Sequence, residues 1–155
     1  MAPPPRAPGA PPPHFTRNTH AGDPFTLSAH RGRWVVLFFY PRDFTPGCTA
    51  QSCAFRDGFA ELSRLHAVIL GVSGDSDHSH RAFATKHALP YPLISDADGS
   101  LRKLFTVPRS LLGLLPGRAT YVIDPAGVVR MVFISQLRAR EHAERAVHVI
   151  QQASV

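Results

Sequence analysis

The sequence predicts a single α/β domain of three layers, with a mixed central sheet flanked by helices. Three observations predict it. The run Trp34-Val35-Val36-Leu37-Phe38-Phe39 is continuously apolar, the character of a strand covered on both faces. A second such run, Val68-Ile69-Leu70-Gly71-Val72, follows a helix-like stretch, which gives the strand–helix–strand rhythm of a parallel unit. Late in the chain, Asp124-Pro125-Ala126-Gly127 separates two β-prone runs with Pro second and Gly fourth, the pattern of a tight turn joining a hairpin.

The elements follow in order. Residues 1–14 hold seven prolines and form a leader expected to be extended or disordered; the globular domain is expected over 15–155. A plain tether or an uncleaved leader remnant suits this segment better than a ligand for a proline-binding module. The globular part should begin near Phe15. Phe25-Thr26-Leu27 reads as a short edge strand. The central run stops at Pro41. Thr45-Pro46-Gly47-Cys48 then opens a helix, with Thr45 as N-cap and Pro46 at the first helical position. Phe55, Phe59, Leu62 and Leu65 mark one face of that helix. Residues 76 to 88 suit a second helix, begun by Ser76 and Asp77 and ended before Pro90. Leu93-Ile94-Ser95 is a strand, Ser100 to Phe105 a short helix, Thr120–Ile123 and Val128–Ile134 the hairpin. An amphipathic helix runs from about Arg138 to Gln152. This is the layout of a thioredoxin-like fold with an insertion.

Composition removes several functions. The 155 residues carry 17 Lys+Arg against 11 Asp+Glu, a net charge of +6, nearly all of the cations being arginine. Arg31, Arg56, Arg81, Arg102 and Arg130 are scattered, with no basic cluster interleaved with aromatics, so nucleic-acid binding is not expected. The longest apolar run, Trp34 to Tyr40, is far short of the roughly 20 residues that span a bilayer, and no apolar secretion signal is seen. No membrane role is expected. Two cysteines make no disulfide framework, and neither Cys-x2-Cys nor His-x3-His occurs, which argues against a metal site. His78 and His80, among Asp75, Ser76, Asp77 and Ser79, read as solvated loop residues.

Cys48 is the third residue of a helix that follows a buried strand. Backbone N–H groups without helical partners, and the positive end of the helix dipole, lie there. A thiol in that place is expected to ionise more readily than a free one. A small buried apolar cysteine is the alternative. Cys53 lies five residues on. On an intact helix that spacing is about 7.5 Å of rise with the two thiols roughly 140° apart around the axis. A disulfide needs Cα atoms within about 4.4–6.8 Å. Either the pair never bonds or the helix start unwinds for it to bond. Pro46 and Gly47 propagate a helix poorly, so the opening cost should be modest.

The segment Phe39-Tyr40-Pro41-Arg42-Asp43-Phe44-Thr45-Pro46-Gly47-Cys48-Thr49-Ala50-Gln51-Ser52-Cys53 resembles the active-site segment of peroxiredoxins, with Pro41, Thr45 and Cys48 in the Pro-x3-Thr-x2-Cys pattern. A second cysteine five residues on is similar to the peroxiredoxin Q branch, also called bacterioferritin comigratory protein. The resemblance continues through Gly71-Val72-Ser73-Gly74-Asp75, through Leu89 to Asp96 and through Leu115 to Asp124. It implies a thiol-dependent peroxidase acting on hydrogen peroxide and organic hydroperoxides, in antioxidant defence and redox homeostasis. It implies Cys48 as peroxidatic nucleophile and Cys53 as resolving cysteine, joined in an intramolecular disulfide that thioredoxin or a similar dithiol reduces. Thr45 matches the threonine that holds peroxide and thiolate, Pro41 the proline that shields the nucleophile, and Arg118 the arginine that closes the pocket. Gln51, one turn beyond Cys48, either orients that arginine or faces water. No metal, haem or flavin is implied. A monomer is expected, in the cytoplasm by default, with a plastid as the alternative. A Cys-x4-Cys spacing argues against the competing reading, a protein thiol–disulfide oxidoreductase, and a non-catalytic adaptor is the third reading.

Overall fold

The computed structural model describes residues 7–110 and 112–153. In chain order the elements are β1 (Thr16–Asn18), β2 (Pro24–Thr26), a 3-10 turn (Leu27–His30), β3 (Trp34–Phe39), α1 (Pro46–Asp57), α2 (Phe59–Arg64), β4 (Ala67–Ser73), α3 (Asp77–His87), β5 (Leu93–Ser95), α4 (Ser100–Phe105), β6 (Ala119–Ile123), β7 (Val129–Ile134) and α5 (Ala139–Ala153). Five strands form one sheet in the order β5-β4-β3-β6-β7. β3 is central: parallel to β4, with Val36 opposite Ile69, and antiparallel to β6, with Val36 opposite Val122. The mixed sheet expected from the sequence is therefore present.

The apolar run of β3 is explained by two cores. Alternate side chains of a strand face opposite ways. Val36, Phe38 and Tyr40 enter a cluster with Phe55, Leu62, Phe83, Ala143, Ala146 and Ile150. Val35, Leu37 and Phe39 enter the other, with Phe15, Phe25, Leu101, Phe105 and Tyr121. A Cβ on Gly71 would lie 2.7 Å from a methyl of Leu93 and 2.8 Å from the Phe38 ring, so that strand position has to be glycine for its neighbours to pack. The hairpin turn closes with Gly127 at φ +82°, and the Asp124 carboxylate accepts from the N–H groups of Ala126 and Val128, each at 3.0 Å.

Several expectations are corrected. The helix read across Phe55 to Leu65 is broken at Gly58, which ends α1 and precedes α2; glycine is a weak helix former, and Phe55 and Leu62 stay buried on either side of the break. The Phe25 strand is no edge of the main sheet: β2 pairs antiparallel with β1 in a separate two-stranded arm. Arg17 in that arm reaches Ser100 Oγ at 3.1 Å. His80 is not solvated. It is fully buried on α3, with Nδ1 2.8 Å from Asp43 Oδ2 and Nε2 3.1 Å from the Ile94 carbonyl, whereas His78 is exposed. Within the leader, Gly9 donates to the Val129 carbonyl at 2.8 Å and Ala10 accepts from the Val129 N–H at 3.0 Å. Residues 1–6 of the leader lie outside the described residues.

Candidate active site

β3 ends at Phe39, and the loop that follows turns the chain into α1. That loop is fixed from below. Tyr40 donates its hydroxyl to Asp43 Oδ1 at 2.6 Å, Ser79 donates to Asp43 Oδ2 at 2.9 Å, and the Asp43 N–H donates to Asp75 Oδ2 at 2.8 Å. Burial, reinforced by the Asp43 carboxylate, pushes the Tyr40 phenol well above its ordinary pKa, so it stays a donor. Asp43, Asp75 and His80 form a compact group of potential ligands. Each already has protein hydrogen-bond partners, so the group reads as the loop's anchor.

Thr45 has the extended backbone of an N-cap (φ −84°, ψ 151°), and its carbonyl accepts the first helical bond, from Thr49 N–H at 2.8 Å. Its side chain does not cap: Oγ1 donates back to the Arg42 carbonyl at 2.9 Å. The hydroxyl oxygen therefore keeps its lone pairs, and the N–H groups of Gly47 and Cys48 come before the first intrahelical bond. Cys48 is buried, 1% exposed, on the inner side of α1.

Arg118 ends the segment that leads into β6 and is itself buried. Its Nη1 donates to Gln51 Oε1 at 2.5 Å and its Nε to the Gln136 carbonyl at 3.2 Å. A Cβ built on Gly47 would lie 3.0 Å from Arg118 Nη2. The guanidinium thus rests on the first turn of α1, and glycine there leaves room for it. Gln51 is fully buried, so of its two expected orientations it takes the one toward the arginine. Its Nε2 has no partner among the described residues. Arg118, 70 residues beyond Cys48 in the chain, is thus drawn to the end of α1 that follows Pro41 and Thr45.

Cys48 and Cys53 are both free thiols on an intact α1, Cys53 partly exposed. The far half of the helix is tied down: Tyr91 donates to the Ser52 carbonyl at 2.7 Å, and Arg56 Nη1 to the His87 carbonyl at 2.9 Å.

Sequence reasoning missed two supports. His142 on α5 receives Thr120 Oγ1–H at Nδ1 (2.7 Å) and donates from Nε2 to the Ser135 carbonyl (2.9 Å), bracing the strand ends beside Arg118. Burial pulls its pKa down to about 4, so it is neutral at pH 7. Arg102 on α4 is the other, one of many arginines with no local motif around it.

Comparison with known proteins decides the family. The AhpC/TSA family pattern matches residues 8–132. The chain belongs to the AhpC/TSA family. Within it, the chain is 46% identical over 143 residues to a chloroplastic peroxiredoxin Q of Sedum lineare, covering 92% of this chain and 77% of that one. It is 43% identical over 143 residues to that of Populus jackii, covering 92% and 67%. Among solved structures, a Mycobacterium tuberculosis peroxidoxin superposes with a TM-score of 0.84 at 36% identity, covering 94% of this chain and 96% of that one. A Xanthomonas campestris bacterioferritin comigratory protein, described for its alkyl peroxide reduction activity, gives 0.82 at 32% identity, covering 91% and 92%. The thioredoxin-like fold and the peroxiredoxin Q branch are thereby established, and with them a thiol-dependent peroxidase.

Proposed function

We propose that Cys48 is the peroxidatic nucleophile and Cys53 its resolving partner, with Thr45, Pro41 and Arg118 completing the peroxide site. The observation that carries the reading is the Arg118 guanidinium, held on the Gly47 turn by Gln51 and Gln136. Displacement at a peroxide needs a thiolate, a fixed line of attack and stabilisation of the charge left on the departing oxygen. Here the thiolate of Cys48 attacks one oxygen as the O–O bond breaks. Sulfur is oxidised to the sulfenic acid, and the departing hydroxide or alkoxide takes a proton to leave as water or alcohol. The guanidinium and the Gly47 and Cys48 N–H groups face that negative charge. The Thr45 hydroxyl oxygen accepts from the peroxide O–H, and Pro41 excludes water.

The Cys53 thiol then condenses with the sulfenic acid, forming the S–S bond and releasing water. With both cysteines on α1, the helix start must unwind to bring them together. A dithiol donor of the thioredoxin kind restores both thiols by exchange, its own pair becoming the disulfide. Hydrogen peroxide and organic hydroperoxides are the substrates, and the chain acts as a monomer. The chloroplastic names of the plant relatives support a plastid setting beside the cytoplasmic one.

Stopped-flow oxidation of three proteins tests this. The wild type should lose two thiols and gain an intramolecular disulfide. Cys53→Ser should still react fast but stop at the sulfenic acid. Cys48→Ser should react no faster than free cysteine. Fast peroxide loss in Cys48→Ser would remove Cys48 from the site.

A further inference from the structure

Arg102 lies on α4, behind the site. Its Nη1 donates to the Gly117 carbonyl and its Nη2 to the Tyr40 carbonyl, both at 2.7 Å. Gly117 is the residue before Arg118, and Tyr40 the residue before Pro41. The guanidinium also lies over the Phe39 ring, 5.7 Å from its centroid, and Cys48 is within its electrostatic reach. One side chain therefore ties together the two backbone segments that bring Arg118 and Pro41 to Cys48. The nearby Asp96 carboxylate is engaged elsewhere, accepting from the Leu101 and Arg102 N–H groups at 2.9 and 3.0 Å. Among the described residues Arg102 makes no ion pair with a carboxylate, and its two bonded N–H groups are spent on the Gly117 and Tyr40 carbonyls.

The segment it holds has little freedom to move by itself. A Cβ on Gly117 would collide with the Pro108 carbonyl oxygen, so this turn is packed backbone to backbone. A planar fork suits such a bridge. Two carbonyls on two chain segments are met by two N–H donors held in fixed geometry, which an ammonium cannot reproduce.

We propose that Arg102 is a positioning residue for the peroxide reaction, clamping the Gly117 and Tyr40 carbonyls so that Arg118 and Pro41 meet the peroxide in register. The inference rests on Cys48 as the peroxidatic sulfur. Misplacing reacting groups by about 1 Å costs up to roughly a hundredfold in rate. A small alkylating agent needs the Cys48 sulfur but not the pocket that aligns a peroxide.

The experiment measures second-order rates of Cys48 with hydrogen peroxide and with iodoacetamide, in a Cys53→Ser background. Variants are Arg102→Met and Arg102→Lys. Arg102→Met should lower the peroxide rate by roughly tenfold or more relative to the iodoacetamide rate, and Arg102→Lys, keeping the charge but only a single donor nitrogen, should recover part of that ratio. A ratio unchanged in both variants, with only the melting temperature lowered, would mean a structural role and overturn the proposal. If Arg102→Met does not fold, Arg102→Lys decides by the same ratio. Peroxide consumption that persists after Cys48→Ser would instead sink the underlying assignment, and this inference with it.

Discussion

The two halves of α1 are held in opposite ways. The first turn contains Pro46 and Gly47, carries the buried Cys48 and is steadied by a guanidinium from another element. The second half is locked by packing and by hydrogen bonds to its carbonyl groups and side chains. Phe55 is fully buried and stacks on Phe38 with ring centroids 4.3 Å apart, Tyr91 holds the Ser52 carbonyl, and Arg56 holds His87. The difference teaches where a helix can open. The end that carries the nucleophile begins with two poor helix formers and is steadied by polar contacts from other elements, and the end beyond Cys53 is anchored by a buried ring stack.

The largest expected effect breaks the locked half. Phe55→Ala should cost about 3–5 kcal/mol of stability, read from denaturant unfolding, because it empties a buried ring site against Phe38. Arg118→Ala attacks the other half. It should slow oxidation of Cys48 by on the order of a hundredfold, measured by stopped flow, with a stability loss far smaller than that of Phe55→Ala.

His142 sharpens the comparison through pH. Its folded pKa of about 4 lies below the unfolded value near 6.5, so the unfolded state binds the extra proton between these limits. Stability is undiminished above about pH 7 and falls as pH drops from 6.5 toward 4. His142→Gln should remove about 2 kcal/mol of the difference between stabilities measured at about pH 7 and about pH 4.5. An identical pH dependence in variant and wild type would contradict this.

The smallest effect concerns the boundary between the halves. Tyr91→Phe removes the bond to the Ser52 carbonyl. Disulfide formation after peroxide treatment should speed up by a few-fold, in line with about 1 kcal/mol for one hydrogen bond, with the first oxidation step unchanged. Quenched-flow mass spectrometry separates the two steps.

The elements of the fold were legible because both cores leave local marks: the unbroken run of β3, the turn at Asp124–Gly127, the capping Ser76, whose Oγ does accept from the Ser79 N–H at 3.1 Å. The place of Cys48 in the first turn of α1 was legible for the same reason, since helix starts are written in adjacent residues. What failed was long-range. His80 sits among polar neighbours in sequence, but the face of α3 it occupies turns inward to meet Asp43, 37 residues earlier. Arg118 could be picked out only by family resemblance. Nothing beside it in the chain tells that Gln51, 67 residues away, will receive its guanidinium. Arg102 bridges two carbonyls, and backbone acceptors have no sequence signature at all. The break at Gly58 was visible as a glycine but masked by the apolar spacing that continues across it.

The two bonds between the leader and Val129 have a consequence for association. β7 is the last strand of the sheet, and an outer strand offers unpaired backbone groups to any other chain. Gly9 and Ala10 occupy part of that rim, and Pro11, Pro12 and Pro13 follow at once. Proline has no N–H to donate, so Pro11 to Pro13 offer no donors along which a further strand could extend. Gly9 and Ala10 are in this respect a selvage, finishing the woven edge at the corner where Val129 begins the strand.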